Sequence, residues 1–163
     1  MSIELLYQRR SIRKYLNKPV EDEKVKELLK AGMAAPSAMN KQPWHFAVIR
    51  NQDILNCITK IHPYSSMLVE APLGIAVCGN KNERYWVQDC SAAMQNILLA
   101  AVGLNLGSVW LGVYPDEERT HQIKKLLNLK DPFLPLGICA VGYPNETKPL
   151  KDHFDESKVS YID

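Results

Sequence analysis

Apolar positions recur along this chain with two periods, and each change of period marks an element. In residues 21–33 the acidic start Glu21, Asp22 and Glu23 suits a helix N-terminus, and Val25, Leu28, Leu29, Gly32 and Met33 follow at helical spacing. The pattern predicts a helix laid against the core. Further helices are predicted over residues 52–61, closed by His62 and Pro63, and over 117–127, with basic residues near its end. A short helix over Ile3, Leu5 and Leu6, capped by Ser2, opens the chain. Residues 85–104 carry the longest uninterrupted helical pattern, and Ala92, Ala93, Ile97, Leu99, Ala100 and Ala101 leave little of it polar. A helix apolar nearly all round belongs at the centre of the fold or in a subunit interface. Short apolar runs bounded by turn residues, 44–49, 73–79, 108–113 and 136–141, predict buried strands. Helices and strands are interspersed around the long helix, so the fold class is α+β or a three-layer α/β arrangement.

Composition narrows the picture. A chain of 163 residues suffices for one core and is short for two, which predicts a single domain over residues 1–163, with the polar segment 143–163 as an extended tail. A net charge of +2 supplies no broad field for a polyanion and argues against nucleic acid as a partner. No apolar run reaches the roughly 18–20 residues of a membrane helix, and the start lacks a leader pattern. The expectation is a soluble, cytoplasmic protein. Cys57, Cys78, Cys90 and Cys139 lie far apart among apolar neighbours, and the histidines are equally scattered, so free thiols and no metal site are expected. Neither a glycine-rich dinucleotide loop after a strand nor a Walker phosphate loop is present.

Two stretches carry candidate chemistry. Arg9-Arg10-Ser11-Ile12-Arg13-Lys14-Tyr15 gathers four cations around one hydroxyl, and guanidinium groups pair bidentately with phosphate oxygens. The same cluster also suits a solvated helix end. Residues 34–44, with Pro36, Ser37, Ala38, Asn40, Gln42 and Pro43, combine small side chains with two amides. Small residues let backbone approach a flat ligand, and an amide offers donor and acceptor together to an edge of alternating C=O and N–H. An ordinary turn that collects these residues is the alternative.

Taken with Gly107-Ser108-Val109-Trp110-Leu111-Gly112-Val113-Tyr114-Pro115, these two stretches in this order resemble the nitroreductase family of FMN-dependent oxidoreductases in its short form. Asp89 to Asn96 in the long helix and the closing Val141-Gly142-Tyr143-Pro144 fit as well, so the resemblance spans essentially the whole chain. It implies a three-layer α/β/α fold with a central, mostly antiparallel sheet and a long buried interface helix. It implies further a homodimer with FMN at the subunit interface, NAD(P)H as hydride donor and a nitroaromatic, quinone or similar small-molecule acceptor, in ping-pong turnover. By position, Arg9, Arg10 and Ser11 would hold the phosphate end, and Arg13 would lie by the pyrimidine side of the ring. Pro36, Ser37, Ala38 and Asn40 would come from the other subunit, with Gln42 a neighbour of the ring. The backbone of Leu111 and Gly112 would approach flavin N5 and O4. Lys151 and His153 stand where the family completes the phosphate site, but His153 replaces a common Arg, exchanging a bidentate charged pair for a single hydrogen bond. No catalytic side chain is implied, since the chemistry belongs to the cofactor. A same-fold flavoprotein with another task, such as reductive dehalogenation, flavin breakdown or flavin binding alone, is the alternative. A nucleic-acid module built on Arg9 to Lys14 is a remote third.

Overall fold

The computed structural model describes residues 3–162, so the expected Ser2 cap lies outside the described residues. Helices α1 (Glu4–Gln8), α2 (Asp22–Met33), α3 (Gln52–Ile61), α4 (Trp86–Gly103) and α5 (Glu117–Leu126) surround strands β1 (Trp44–Ile49), β2 (Leu73–Asn80), β3 (Gly107–Gly112) and β4 (Phe133–Gly142). The sheet runs in the order β1-β2-β4-β3, and every neighbouring pair is antiparallel. This is the α+β, three-layer arrangement that the periodicities and the resemblance predict.

The layers follow from strand alternation. On β2, Leu73, Ile75 and Val77 face one core with Leu28 of α2 and Met94 and Ile97 of α4. Ala76 and Cys78 face a second core with Leu55 and Ile58 of α3 and Ile123 of α5. Because β2 is covered on both faces, it reads as a continuous apolar run rather than an alternating one. Each leucine or isoleucine fully buried here contributes about 2 kcal/mol. At Gly32 the helices α2 and α4 come so close that an added Cβ would stand 3.1 Å from Ile97. Local caps set the helix starts: Asn51 Oδ1 accepts from Asp53 N and Ile54 N, and Asp116 Oδ1 accepts from Arg119 N.

β4 is longer than its apolar run 136–141 suggests, because it begins at Phe133 and passes through Pro135. The register shifts between Val77 and Cys78, where Val77 pairs with Gly137 and Cys78 with Pro135. Leu136 is therefore bulged out of the β2 ladder, and a bulge is where a strand tolerates proline. The Leu136 carbonyl then accepts from both Val113 N (3.0 Å) and Tyr114 N (3.1 Å), which ends β3 immediately after Gly112.

Candidate functional site

The segment 9–16 runs extended along the free edge of β3. Ser11 bridges Ser108 in parallel, and Ile12 N donates to Ser108 O at 2.9 Å. Gly107 makes room for this approach, since a Cβ there would lie 2.7 Å from Ile12. Tyr15 is buried, with its hydroxyl donating to Ile12 O at 2.6 Å, and burial pushes its phenol above the usual range.

The tail after β4 returns along the other side of this segment. Leu16 N donates to Tyr143 O and Asn145 N to Lys14 O, both at 2.9 Å. Glu146 Oε1 accepts from Arg13 N at 2.5 Å, and that bond, with Lys148 3.4 Å away, holds the Glu146 carboxyl below its ordinary value. Lys148 Nζ donates to Ser11 O at 2.6 Å, and Arg10 Nε to Pro149 O at 2.9 Å. The tail thus fixes the arginine segment from both sides.

A groove of about 1200 Å³ opens between them, lined by the cations Arg9, Arg10, Arg13, Lys148 and Lys151 against the carboxylate of Asp152. Ser11 and His153 line it too. Arg10 Nη1 is taken by the carbonyls of Tyr7 and Arg9, but Nη2 is buried with no hydrogen-bond partner among the described residues. A buried donor left unpaired costs on the order of 1–3 kcal/mol unless a ligand satisfies it. Arg13 continues into a second cavity of about 560 Å³, whose other walls include His62, Tyr64, Trp110, Leu111, Gly112 and Arg119. The two cavities share Arg13 and form one surface, cationic at one end and floored by the end of β3 at the other.

Gly112 is the open point of that floor. A Cβ built there meets nothing within 4 Å, and its φ is not positive, so the fold itself does not require glycine at this position. Backbone left bare in a cavity is what a flat ligand lying against it needs.

The loop 36–42 stands apart, since none of Pro36, Ser37, Ala38, Asn40 and Gln42 lines either cavity. Met39, Asn40 and Gln42 take positive φ of 52°, 53° and 48°, and Met39 is 90% exposed. A left-handed conformation costs a non-glycine residue on the order of 1 kcal/mol, so the loop is held by bonds. Ala38 N donates to Asp89 Oδ1 at 3.0 Å, Gln42 N to Ser37 Oγ at 2.9 Å, and Gln42 Nε2 to Asn40 Oδ1 at 3.1 Å. The two amides bond each other here, as in an ordinary turn.

The chain itself therefore brings together Arg9, Arg10, Ser11, Arg13, Leu111, Gly112, Lys151 and His153, and leaves the 36–42 loop outside. Lys148, His62 and Arg119 join the site without a sequence signal of their own. Trp86 is buried and packs edge-to-face on Tyr114 with ring centroids 4.9 Å apart. Burial pushes the thiols of Cys78 and Cys90 up to about 12, which leaves them protonated and inert, and no cluster of metal-ligating side chains exists among the described residues.

Known proteins are similar to this chain in both sequence and architecture. The model of the nitroreductase family matches residues 6–77 and 59–143. A protein of Methanothermobacter thermautotrophicus, named as a candidate NADH dehydrogenase/NAD(P)H nitroreductase, is 44% identical over 161 residues, covering 96% of this chain and 84% of the relative. The solved structure of an FMN-dependent nitroreductase from Clostridium difficile R20291 superposes with a TM-score of 0.93 at 31% identity, covering 99% of both chains. A nitroreductase-like protein of Desulfovibrio desulfuricans, solved in complex with FMN, gives 0.84 at 31% identity over 99% of this chain and 96% of its own. With the family model and a relative at this identity spanning nearly its whole length, the chain belongs to the nitroreductase family.

Proposed function

We propose that this chain is an NAD(P)H-dependent oxidoreductase that binds FMN along the joined groove and cavity, as a homodimer. The observation that carries the reading is Gly112: bare backbone at the end of β3, in one continuous surface with the five cations of the groove. The residues present fit the cofactor. Arg9, Arg10, Lys148 and Lys151 supply charged donors for the phosphate, Ser11 a small neutral one, and the unpaired Nη2 of Arg10 gains the partner it lacks. Arg13, exposed where the groove meets the cavity, places a cation beside the pyrimidine edge and favours negative charge there. Leu111 and Gly112 offer main chain to the ring. When bound, FMN would supply the hydride-transfer chemistry between NAD(P)H and an electron-poor acceptor such as a quinone or nitroaromatic.

The dimer is supported by the loop 36–42, which is held in a costly conformation but lines neither cavity of its own protomer. From a second copy, Pro36, Ser37, Ala38, Asn40 and Gln42 would close the site. Leu150, Phe154, Tyr161 and Ile162 of the tail are more than two-thirds exposed, which is apolar surface a second subunit would cover.

The test is the visible spectrum of the purified protein after addition of FMN, with light scattering for mass. Expected are one FMN per chain, bleaching by NADH or NADPH, recovery with menadione, and twice the chain mass of 18.5 kDa. Flavin that binds without being bleached by either nucleotide would move the chain to another flavin task, and absence of binding would overturn the reading.

A further inference from the structure

His62 belongs to no motif, yet all its polar atoms are committed. Its N–H donates to Ile58 O at 2.9 Å and closes α3, and its carbonyl accepts from Ser65 Oγ at 2.6 Å. The residue is 4% exposed. Tyr64 N donates to Nδ1 at 3.2 Å, so the ring proton sits on Nε2, and that N–H donates to the Gly112 carbonyl at 2.8 Å. Arg119, in the first turn of α5, reaches the same oxygen with Nη1 at 3.3 Å, while its Nη2 pairs with Asp116 at 3.1 Å.

The elements these two residues sit on have other bonds at their ends. Backbone bonds close α3, Asp116 caps α5, and the end of β3 is already secured by Val113 N and Tyr114 N on Leu136 O. What the two donors fix is the plane of the peptide after Gly112. A carbonyl released at the end of this strand could turn into the open cavity and set its lone pairs against the acceptor atoms along a flavin edge. Two acceptors facing each other without a proton cost binding, and a carbonyl already held by two donors is kept out of that position.

We infer that His62 and Arg119 are positioning residues for the cofactor ring, acting through the Gly112 carbonyl. The inference rests on the FMN reading above. His62 is the principal of the two, because its ring is buried, held in one tautomer and closer to the oxygen.

The experiment titrates native protein, His62→Gln, His62→Asn and Arg119→Ala with FMN by fluorescence quenching, records the bound flavin's visible spectrum, and measures each melting temperature. A glutamine amide nitrogen reaches the position of imidazole Nε2 and restores the donor, whereas asparagine is too short. Loss of one such bond weakens FMN binding by about tenfold in His62→Asn, with a shifted flavin band, while His62→Gln stays within about threefold of native and Arg119→Ala loses about threefold. Native affinity and spectrum in both His62→Asn and Arg119→Ala would overturn the inference. Should His62→Asn fail to fold, Arg119→Ala decides alone, because its side chain is 22% exposed and its removal leaves both cores intact. Native protein that binds no FMN overturns the cofactor reading and this inference with it, whereas native binding that the variants leave unchanged overturns only the inference.

Discussion

Gly112 and Gly137 face each other across the β3–β4 ladder, and they are glycine for different reasons. At Gly137 a Cβ would stand 2.5 Å from Trp110 Nε1 and 2.8 Å from the Leu111 carbonyl, so the fold excludes any larger residue. At Gly112 a Cβ would meet nothing. One glycine is required by packing within the chain; the other is not, and on the function proposed above it leaves room for the ring of FMN. The pair therefore separates what holds the protein together from what the protein holds.

Breaking the packed side gives the largest effect. Gly137→Ala forces Trp110 or the Leu111 backbone to move and costs about 3 kcal/mol, read as a lower urea midpoint. Its FMN affinity, measured on the folded fraction, falls as well, because Trp110 and Leu111 wall the cavity.

The groove gives a smaller effect. Lys148→Met removes both a groove cation and the anchor on Ser11 O, and weakens FMN binding by about fivefold at low salt with a shallower salt dependence. His153→Arg does the reverse, tightening binding by about threefold, since a guanidinium can grip the phosphate with two bonds. Isothermal titration at two ionic strengths checks both.

The smallest effect is that of pH on Glu146. Its folded value lies below the ordinary 4.5, first through the Arg13 N–H and then through Lys148, so its contribution is present above the unfolded value and is lost as pH falls through the folded one. Glu146→Gln, measured by flavin release during acid titration, should remove that component and flatten the profile below pH 4.5. An unchanged acid profile would remove Glu146 from the account of how Arg13 is placed.

Much of this was legible in the sequence because burial and periodicity are local. The strand 44–49 and the helix 52–61 carry their own signals and match the structure residue for residue. Pro135 hid the start of β4, because proline reads as a breaker unless the bulge that accommodates it is known. The arginine cluster was a candidate on its own chemistry, and Gly112 entered through the resemblance to a family. Lys148 was not, since its role arises from the tail doubling back beside Ser11. Nor were His62 and Arg119, whose shared partner is a main-chain oxygen, and a carbonyl leaves no mark on the sequence that predicts its donors.

The most direct test of the account is Gly112→Ala, titrated with FMN beside the native protein and melted without it. Alanine at an ordinary φ stabilises a chain by about 0.4–1 kcal/mol through the unfolded state, so the melting temperature should hold or rise slightly. FMN affinity should fall about tenfold or more, because the new methyl stands where the ring lies. A variant that melts like the native protein and binds FMN just as tightly would contradict the claim that the open backbone at Gly112 is the seat of the cofactor.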